Sequence, residues 1–426
     1  IYNMADTYFV GQLNEGSAAA TSATAAVGIA FPLMSIIQAV GFMFGHGSGN
    51  FISRALGRQE TEEAERMAAT GFFSALLGGL ILTVLGLMFL NPLATLLGST
   101  PTILPYATSY IRIILIGAPW MAASLVLNNQ LRFQGNAFFS MIGIGIGGII
   151  NIFLDPLFIF TFSMGIDGAA LATIISQFIS FCLLFIGTRK SDNLNIYLRN
   201  FTPKAHYFKE IFKGGAPSLF RQGIGSVAST CMNNVIASVA AAVADPAIAA
   251  FSIVNRIMMF ANSLVIGFGQ GFQPVCGFNY GAKKYARVRE AFFFCVRLGT
   301  CVLLIAAVLG LMFAPQIITV FRGDDRAVIE IGSLALRLQC ITMPLFAYVV
   351  LSNMMLQTIA QTFRASLLAV ARQGLFFLPL ILLFAYTMGL FGIQLTQPIA
   401  DLFSFILALF LQGKTLNEIR RLEQQN

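Results

Sequence analysis

The sequence predicts an all-α integral membrane protein: twelve transmembrane helices in two six-helix bundles related as a parallel repeat, the first helix truncated. Three observations predict it. The chain is 57% hydrophobic and 10% charged, with a mean hydropathy of +0.78, whereas a soluble domain carries about 25% charged residues. So apolar a core could not be covered by its own polar surface, so the surrounding solvent is lipid. The apolar residues fall into twelve runs, and landmarks of the first half recur in the second.

The runs lie at 1–12, 22–53, 67–97, 103–131, 137–162, 167–188, 207–241, 246–278, 288–320, 328–357, 365–388 and 390–412. A span needs about 20 residues. The first run reaches the turn-like segment from Gly11 to Gly16 after about twelve. Only the second half of the first helix is therefore expected here, with the natural start of the chain missing. Basic residues gather in alternate loops: Arg54, Arg58 and Arg66; Arg132; Arg189 to Lys213; Lys283 to Arg289; Arg364; and Lys414, Arg420 and Arg421. The opposite loops hold Arg322 and Arg326. Positive charge marks the cytoplasmic side, so both termini are expected in the cytoplasm of a multi-pass protein of the cell membrane. The boundaries that follow are 1–188 for the first bundle, 189–206 for a polar cytoplasmic linker, 207–412 for the second bundle and 413–426 for a cytoplasmic tail.

Shifting the chain by 224 or 225 residues superposes its halves. Phe44-Gly45-His46-Gly47 falls on Phe268-Gly269-Gln270-Gly271, Gly57 on Gly281, and Ala25-Ala26 on Ala249-Ala250. Arg112 and Pro119 fall on Arg337 and Pro344, and Ser180-Phe181 on Ser404-Phe405. Asn129 falls on Asn353 and Pro156 on Pro379, within a residue of that shift. An even number of spans per half makes the repeat parallel, an arrangement that alternating-access carriers use.

Several function classes are excluded. A net charge of +8 in a soluble protein would suggest nucleic acid; here the basic residues follow the loop rule instead. Gly143 to Gly148 spells GxGxxG, but inside an apolar span, where close helix packing accounts for it. Gly413-Lys414-Thr415 resembles the end of a phosphate loop, yet Ala408 stands where that loop needs glycine. Six cysteines without CxxC spacing and two histidines, His46 and His206, assemble no transition-metal site and no catalytic set. The protein is expected to be no enzyme, to need no cofactor, and to work on an ion gradient or passively.

Acids inside spans are the sharper signal, since a central one costs about 2.5–3.5 kcal/mol to insert. The candidates are Asp6, Asp155 and Asp401. Asp6 lies about five residues from the outer turn, Asp155 about seven from the outer end of its span, and Thr173 about six from Asp167. At ~1.5 Å per residue all three lie about 8–10 Å below the outer surface. Asn151 precedes Asp155 by one helical turn on the same face. Two carboxylates, an amide and a hydroxyl at one depth make a cation or proton site. Oxygen ligands suit Na⁺, whereas two neighbouring, desolvated carboxylates suit a shared H⁺. Arg372 and Asp401 reach similar depth from opposite sides and are expected to pair.

Several motifs carry a family resemblance. Met4-Ala5-Asp6-Thr7-Tyr8-Phe9-Val10-Gly11-Gln12-Leu13 resembles the first-helix signature of the multidrug and toxic compound extrusion (MATE) family. The run Leu127-Asn128-Asn129-Gln130-Leu131-Arg132-Phe133-Gln134-Gly135-Asn136-Ala137 is similar to that family's exit from the fourth helix. Asn151-Ile152-Phe153-Leu154-Asp155-Pro156 is similar to its fifth-helix pattern. Gly271-Phe272-Gln273-Pro274 with Phe278-Asn279-Tyr280-Gly281-Ala282 resembles its eighth-helix exit. The resemblance implies a V-shaped pair of bundles that exports drug-like organic cations by antiport with H⁺ or Na⁺. It maps the family's amino-terminal cation site onto Asp6, Asn151, Asp155 and Thr173. Some branches carry acids in the seventh or eighth helix; here Asn233, Asn234 and Asn255 stand there, which resembles the DinF-like branch. Asn128, Asn129, Asn234, Asn255, Arg372 and Asp401 remain as cleft or structural polar groups. The expected partners are a small-molecule substrate and membrane lipid, with no nucleic acid and a functional monomer. A flippase for a lipid-linked precursor is the alternative, distinguished by a broad basic cavity.

Overall fold

A chain immersed in lipid must satisfy its backbone within each segment, and the described residues do so as helix, with no strand among them. The computed structural model describes residues 2–10, 12, 17–190, 194–239, 244–321 and 325–425. Position 11, positions 13–16, positions 191–193 of the polar linker and position 322 of the outer basic pair lie outside the described residues. The chain divides into two compact units, Ile1–Gly215 and Ala216–Asn426.

In the first unit, α1 (Tyr2–Val10) is followed by α2 (Ser17–Gly57), α3 (Thr61–Met88), α4 (Leu90–Leu96) and α5 (Leu104–Phe133). Then come α6 (Ala137–Pro156), a π-helical turn at Leu157–Thr161, and α7 (Gly165–Lys190). Helices α2, α3 and α5 pack together, α5 and α6 pack on α7, and α1 lies against α2, α6 and α7. Two apolar cores result, one around Tyr110, Ile111, Ile114 and Leu115, the other around Ile52, Met67, Leu127 and Leu131. Small residues bring backbones close. A Cβ at Gly143, within the GxGxxG string, would lie 2.4 Å from a Leu184 methyl of α7. Ser180 also donates to the Gly143 carbonyl at 2.7 Å. The string is a helix contact.

The 3-10 turn Leu198–Asn200 leads into α8 (Ala205–Val239), within which the unit boundary falls. The second unit continues with α9 (Ala244–Gly281), α10 (Tyr285–Phe321) and α11 (Arg326–Thr358). It ends with α12 (Thr362–Val370), a π-helical segment Ala371–Phe376, and α13 (Phe377–Gln425). Helices α9, α10 and α11 pack mutually and α13 packs on α11.

Nine helices among the described residues are long and apolar enough to cross a membrane. The last, Thr362–Gln425, holds two predicted spans, because its backbone breaks at Gly389 (φ 61°, ψ −138°), between the runs 365–388 and 390–412. The remaining two segments are α1, nine described residues long, and α8, made less apolar by Lys209, Glu210, Lys213 and Arg221. Together they give the twelve helical segments predicted. Of the six cysteines, Cys276 and Cys340 are buried and Cys301 is exposed on α10.

The repeat is written into the backbone as well. Left-handed residues pair across the halves 224 or 225 positions apart: Gln59 with Lys283, Gly135 with Ala360, and Gly165 with Gly389. The third helical pass breaks at Phe89 (φ −114°, ψ 35°), and α10 kinks at Phe313 (φ −112°, ψ 19°), 224 positions on. One sequence pairing is corrected. Asn128, rather than Asn129, plays the part of Asn353. Asn128 donates to the Ser140 carbonyl at 2.8 Å, and Asn353 to that of Ala365 at 2.7 Å, each twelve residues ahead on the next helix.

Candidate functional site

Helix α1 matters for where it sets Asp6. Packed against α2, α6 and α7, it places that carboxylate where no water reaches, at 0% exposure. The groups that meet it come from three other helices. From α5, the Tyr110 hydroxyl donates to Asp6 Oδ2. From α7, the Thr173 hydroxyl lies 3.0 Å from each Asp6 oxygen. On α6, Asn151 and Asp155 stand one turn apart on a single face, and Asn151 Nδ2 donates to Asp155 Oδ1 at 3.0 Å and to Thr173 Oγ1 at 3.3 Å. The Asp6 and Asp155 carboxyl groups lie within hydrogen-bonding reach of each other. All five side chains are fully buried.

Asp155 Oδ2 and Asn151 Oδ1 accept no hydrogen bond among the described residues. A buried oxygen left so costs free energy, and two apposed carboxylates repel unless a proton or cation lies between them. The donor set is all oxygen, which suits a hard cation or a proton. The residues therefore fit the coupling ion considered from the sequence. Just beyond Thr173, the Ile174 carbonyl accepts from Trp120 Nε1 at 3.1 Å.

Tyr110 was not among the sequence candidates, although the depth rule reaches it. It lies about six residues into α5 from Leu104, or ~9 Å at 1.5 Å per residue. The other polar candidates lie apart from this cluster. Asn128 is tied to Ser140, while Asn129 donates to the Leu125 carbonyl at 2.7 Å and accepts from Arg132 at 2.6 Å. Asn234 is exposed on α8. The structure brings Arg372 and Asp401 together, Nε to Oδ1 at 2.6 Å, with the guanidinium over the Phe346 ring at 4.4 Å. Asn255 and Arg372 line a cavity of about 530 Å³ within the second unit, together with Arg221 of α8.

The repeat sharpens the contrast between the units. At shifts of 224 or 225, Asp6, Tyr110, Thr173 and Asp155 correspond to Thr230, Ala335, Gln397 and, by way of the adjacent proline, Leu378. No carboxylate stands at these counterpart positions.

A family model described as MatE matches residues 1–157 and, separately, 223–383. The chain is 27% identical to the multidrug export protein MepA of Staphylococcus haemolyticus (strain JCSC1435), over 98% of this chain and 90% of the relative. It is 25% identical to MepA of Staphylococcus aureus (strain MRSA252), over 96% and 89%. Among solved structures it is similar to MATE in a bent conformation, with TM-score 0.91 and 25% identity over 99% and 92% of the two chains. It is also similar to MATE in a straight conformation, with TM-score 0.89 and 25% identity over the same shares.

Proposed function

This chain belongs to the MatE family, and we propose that it exports drug-like organic cations across the cell membrane in exchange for H⁺ or Na⁺, as a monomer with both termini in the cytoplasm. The observation that carries the coupling is the cluster of Asp6, Asp155, Asn151, Thr173 and Tyr110. Two buried acids face each other, and Asp155 Oδ2 and Asn151 Oδ1 find no donor among the described residues. An ion entering there meets a ready set of oxygen ligands on α1, α6 and α7. Because the acids sit on two helices, α1 and α6, that pack on each other, loading and unloading the ion changes how α1 is held against α6 and α7. That coupling is what an antiporter needs. The names of the curated relatives support drug export as the transported class.

A monovalent cation leaving for one ion entering moves no net charge, so a 1:1 exchange is driven by the ion's own concentration gradient, at ~1.4 kcal/mol per tenfold. Each further ion entering down ~100 mV adds ~2.3 kcal/mol.

The test is efflux of a small panel of cationic dyes from proteoliposomes with pH and Na⁺ gradients imposed independently. Asp6→Asn and Asp155→Asn are expected to abolish ion-driven efflux while inserting normally. Export by both variants at the wild-type rate would overturn the assignment.

A further inference from the structure

The second unit's cavity has a chemistry of its own. Its volume of about 530 Å³ lies in the range that holds a drug-sized ligand. Two arginines line it. Arg372 is occupied: it grips Asp401 at 2.6 and 3.4 Å, and Asp401 also accepts from Gln397 Nε2 at 2.7 Å. That pair is neutral overall. Arg221 differs, having no carboxylate and no hydrogen-bond acceptor among the described residues, although its side chain is open to the cavity. The lining therefore carries a net charge of about +1 that no carboxylate among the described residues offsets.

Depth makes this costly. Arg221 stands close to the midpoint of the 35-residue α8. Asn262 is at the midpoint of the 38-residue α9, and Gln339 is near that of the 33-residue α11. A polar belt thus crosses the cavity at the midpoints of these helices, where an arginine without a counter-charge is costly. Asn262 is 8% exposed, and its Oδ1 finds no partner among the described residues. The same amide turned over presents its NH₂ instead. Met258, Met259, Phe346 and Leu368 are among the apolar residues of the wall, and methionine adapts readily to varied shapes.

We propose that this cavity binds the carboxylate or phosphate head of an amphiphilic anion, with Arg221 as its counter-charge and the methionine-lined wall holding the apolar body. A guanidinium forks onto either head with two parallel hydrogen bonds. A cationic amphiphile of the same size would bring like charge against Arg221 and leave it unpaired. The proposal extends the substrate range beyond cations and does not depend on the ion site, which lies in the other unit. An anionic drug and an anionic lipid share this chemistry.

The test is equilibrium binding of radiolabelled decanoate to the full-length protein in neutral phosphatidylcholine nanodiscs, with decyl phosphate and decylamine as competitors. Decyl phosphate should displace decanoate and decylamine should not. Arg221→Gln should weaken decanoate binding by roughly 10- to 100-fold, with Arg221→Lys restoring much of it. Repeating the measurement in phosphatidylglycerol discs separates the sources. Lost decanoate binding assigns the pocket to a lipid head, and retained binding assigns it to a soluble organic acid; both support an anion site. Equal competition by decylamine, or wild-type affinity in Arg221→Gln, would overturn the proposal. Should the glutamine variant fail to fold, discrimination between acid and amine by the wild type decides alone.

Discussion

Tyr110 shows how much one hydroxyl can matter in a dry site. It is fully buried and its proton goes to Asp6. A hydrogen bond to a charged group contributes about 1.5–3 kcal/mol. Tyr110→Phe keeps the ring that packs in the first core and removes only that donor. It is expected to lower ion-driven efflux by about tenfold or more while leaving the purified protein folded. Unchanged transport would mean the phenol only fills space. Sequence reasoning reached Asp6, Asn151, Asp155 and Thr173 because acids in an apolar run stand out and helical rise converts position into depth. It passed over Tyr110 because a tyrosine among leucines and isoleucines reads as packing. Arg221 sends no such signal in the sequence, because whether an arginine meets a carboxylate is a property of three-dimensional neighbours.

Among the elements, the turns carry information that hydropathy does not. Gly135 and Ala360 occupy the same left-handed position in the two halves, with φ 89° and 62°. Only glycine is at ease there, so Ala360 holds strain that Gly135 avoids. Ala360→Gly is expected to raise the thermal unfolding midpoint, by up to about 1 kcal/mol of stability, and Gly135→Ala to lower it. The same assay on Gly389→Ala should show a loss of about 1–3 kcal/mol, because its φ and ψ lie in a region essentially closed to other residues. The run boundaries at 388 and 390 located this break, since Gly389 interrupts two apolar stretches. The π-helical turns at Leu157–Thr161 and Ala371–Phe376 were not legible, because an extra residue per turn does not alter the composition of an apolar run. The division of the third pass at Phe89 was missed for the same reason.

At the scale of the whole molecule, two copies of one scaffold have been given different chemistry. The repeated left-handed turns and kinks show that the backbone plan was kept. The apposed acids Asp6 and Asp155 stand in the first unit, whereas the second unit's buried acid, Asp401, is paired with Arg372 beside an arginine-lined cavity. An ion that binds the folded protein stabilises the part it touches, by about 2.7 kcal/mol at 100 times its dissociation constant. Hydrogen exchange measured with and without the coupling ion should therefore show added protection in α1, α6 and α7 and no change in α9 to α11. Protection spread evenly over both units would contradict a single-sided ion site. The repeat itself was legible apart from the partner of Asn353, because a shift of 224 or 225 residues aligns ordered landmarks across both halves.

The hydrogen bond from Trp120 to the Ile174 carbonyl has a spectroscopic consequence. Trp120 is the sole tryptophan in 426 residues, and its indole is tied to the carbonyl of Ile174, the residue after Thr173. Its ring also meets Phe178 edge-on at 5.6 Å. Every photon of indole emission thus originates one peptide away from the candidate ion ligands. A titration of intrinsic fluorescence against Na⁺ or pH should report occupancy directly, without label or engineered probe, and Asp6→Asn should flatten the curve. The protein carries its own built-in lamp at the place where its driving force is expected to enter.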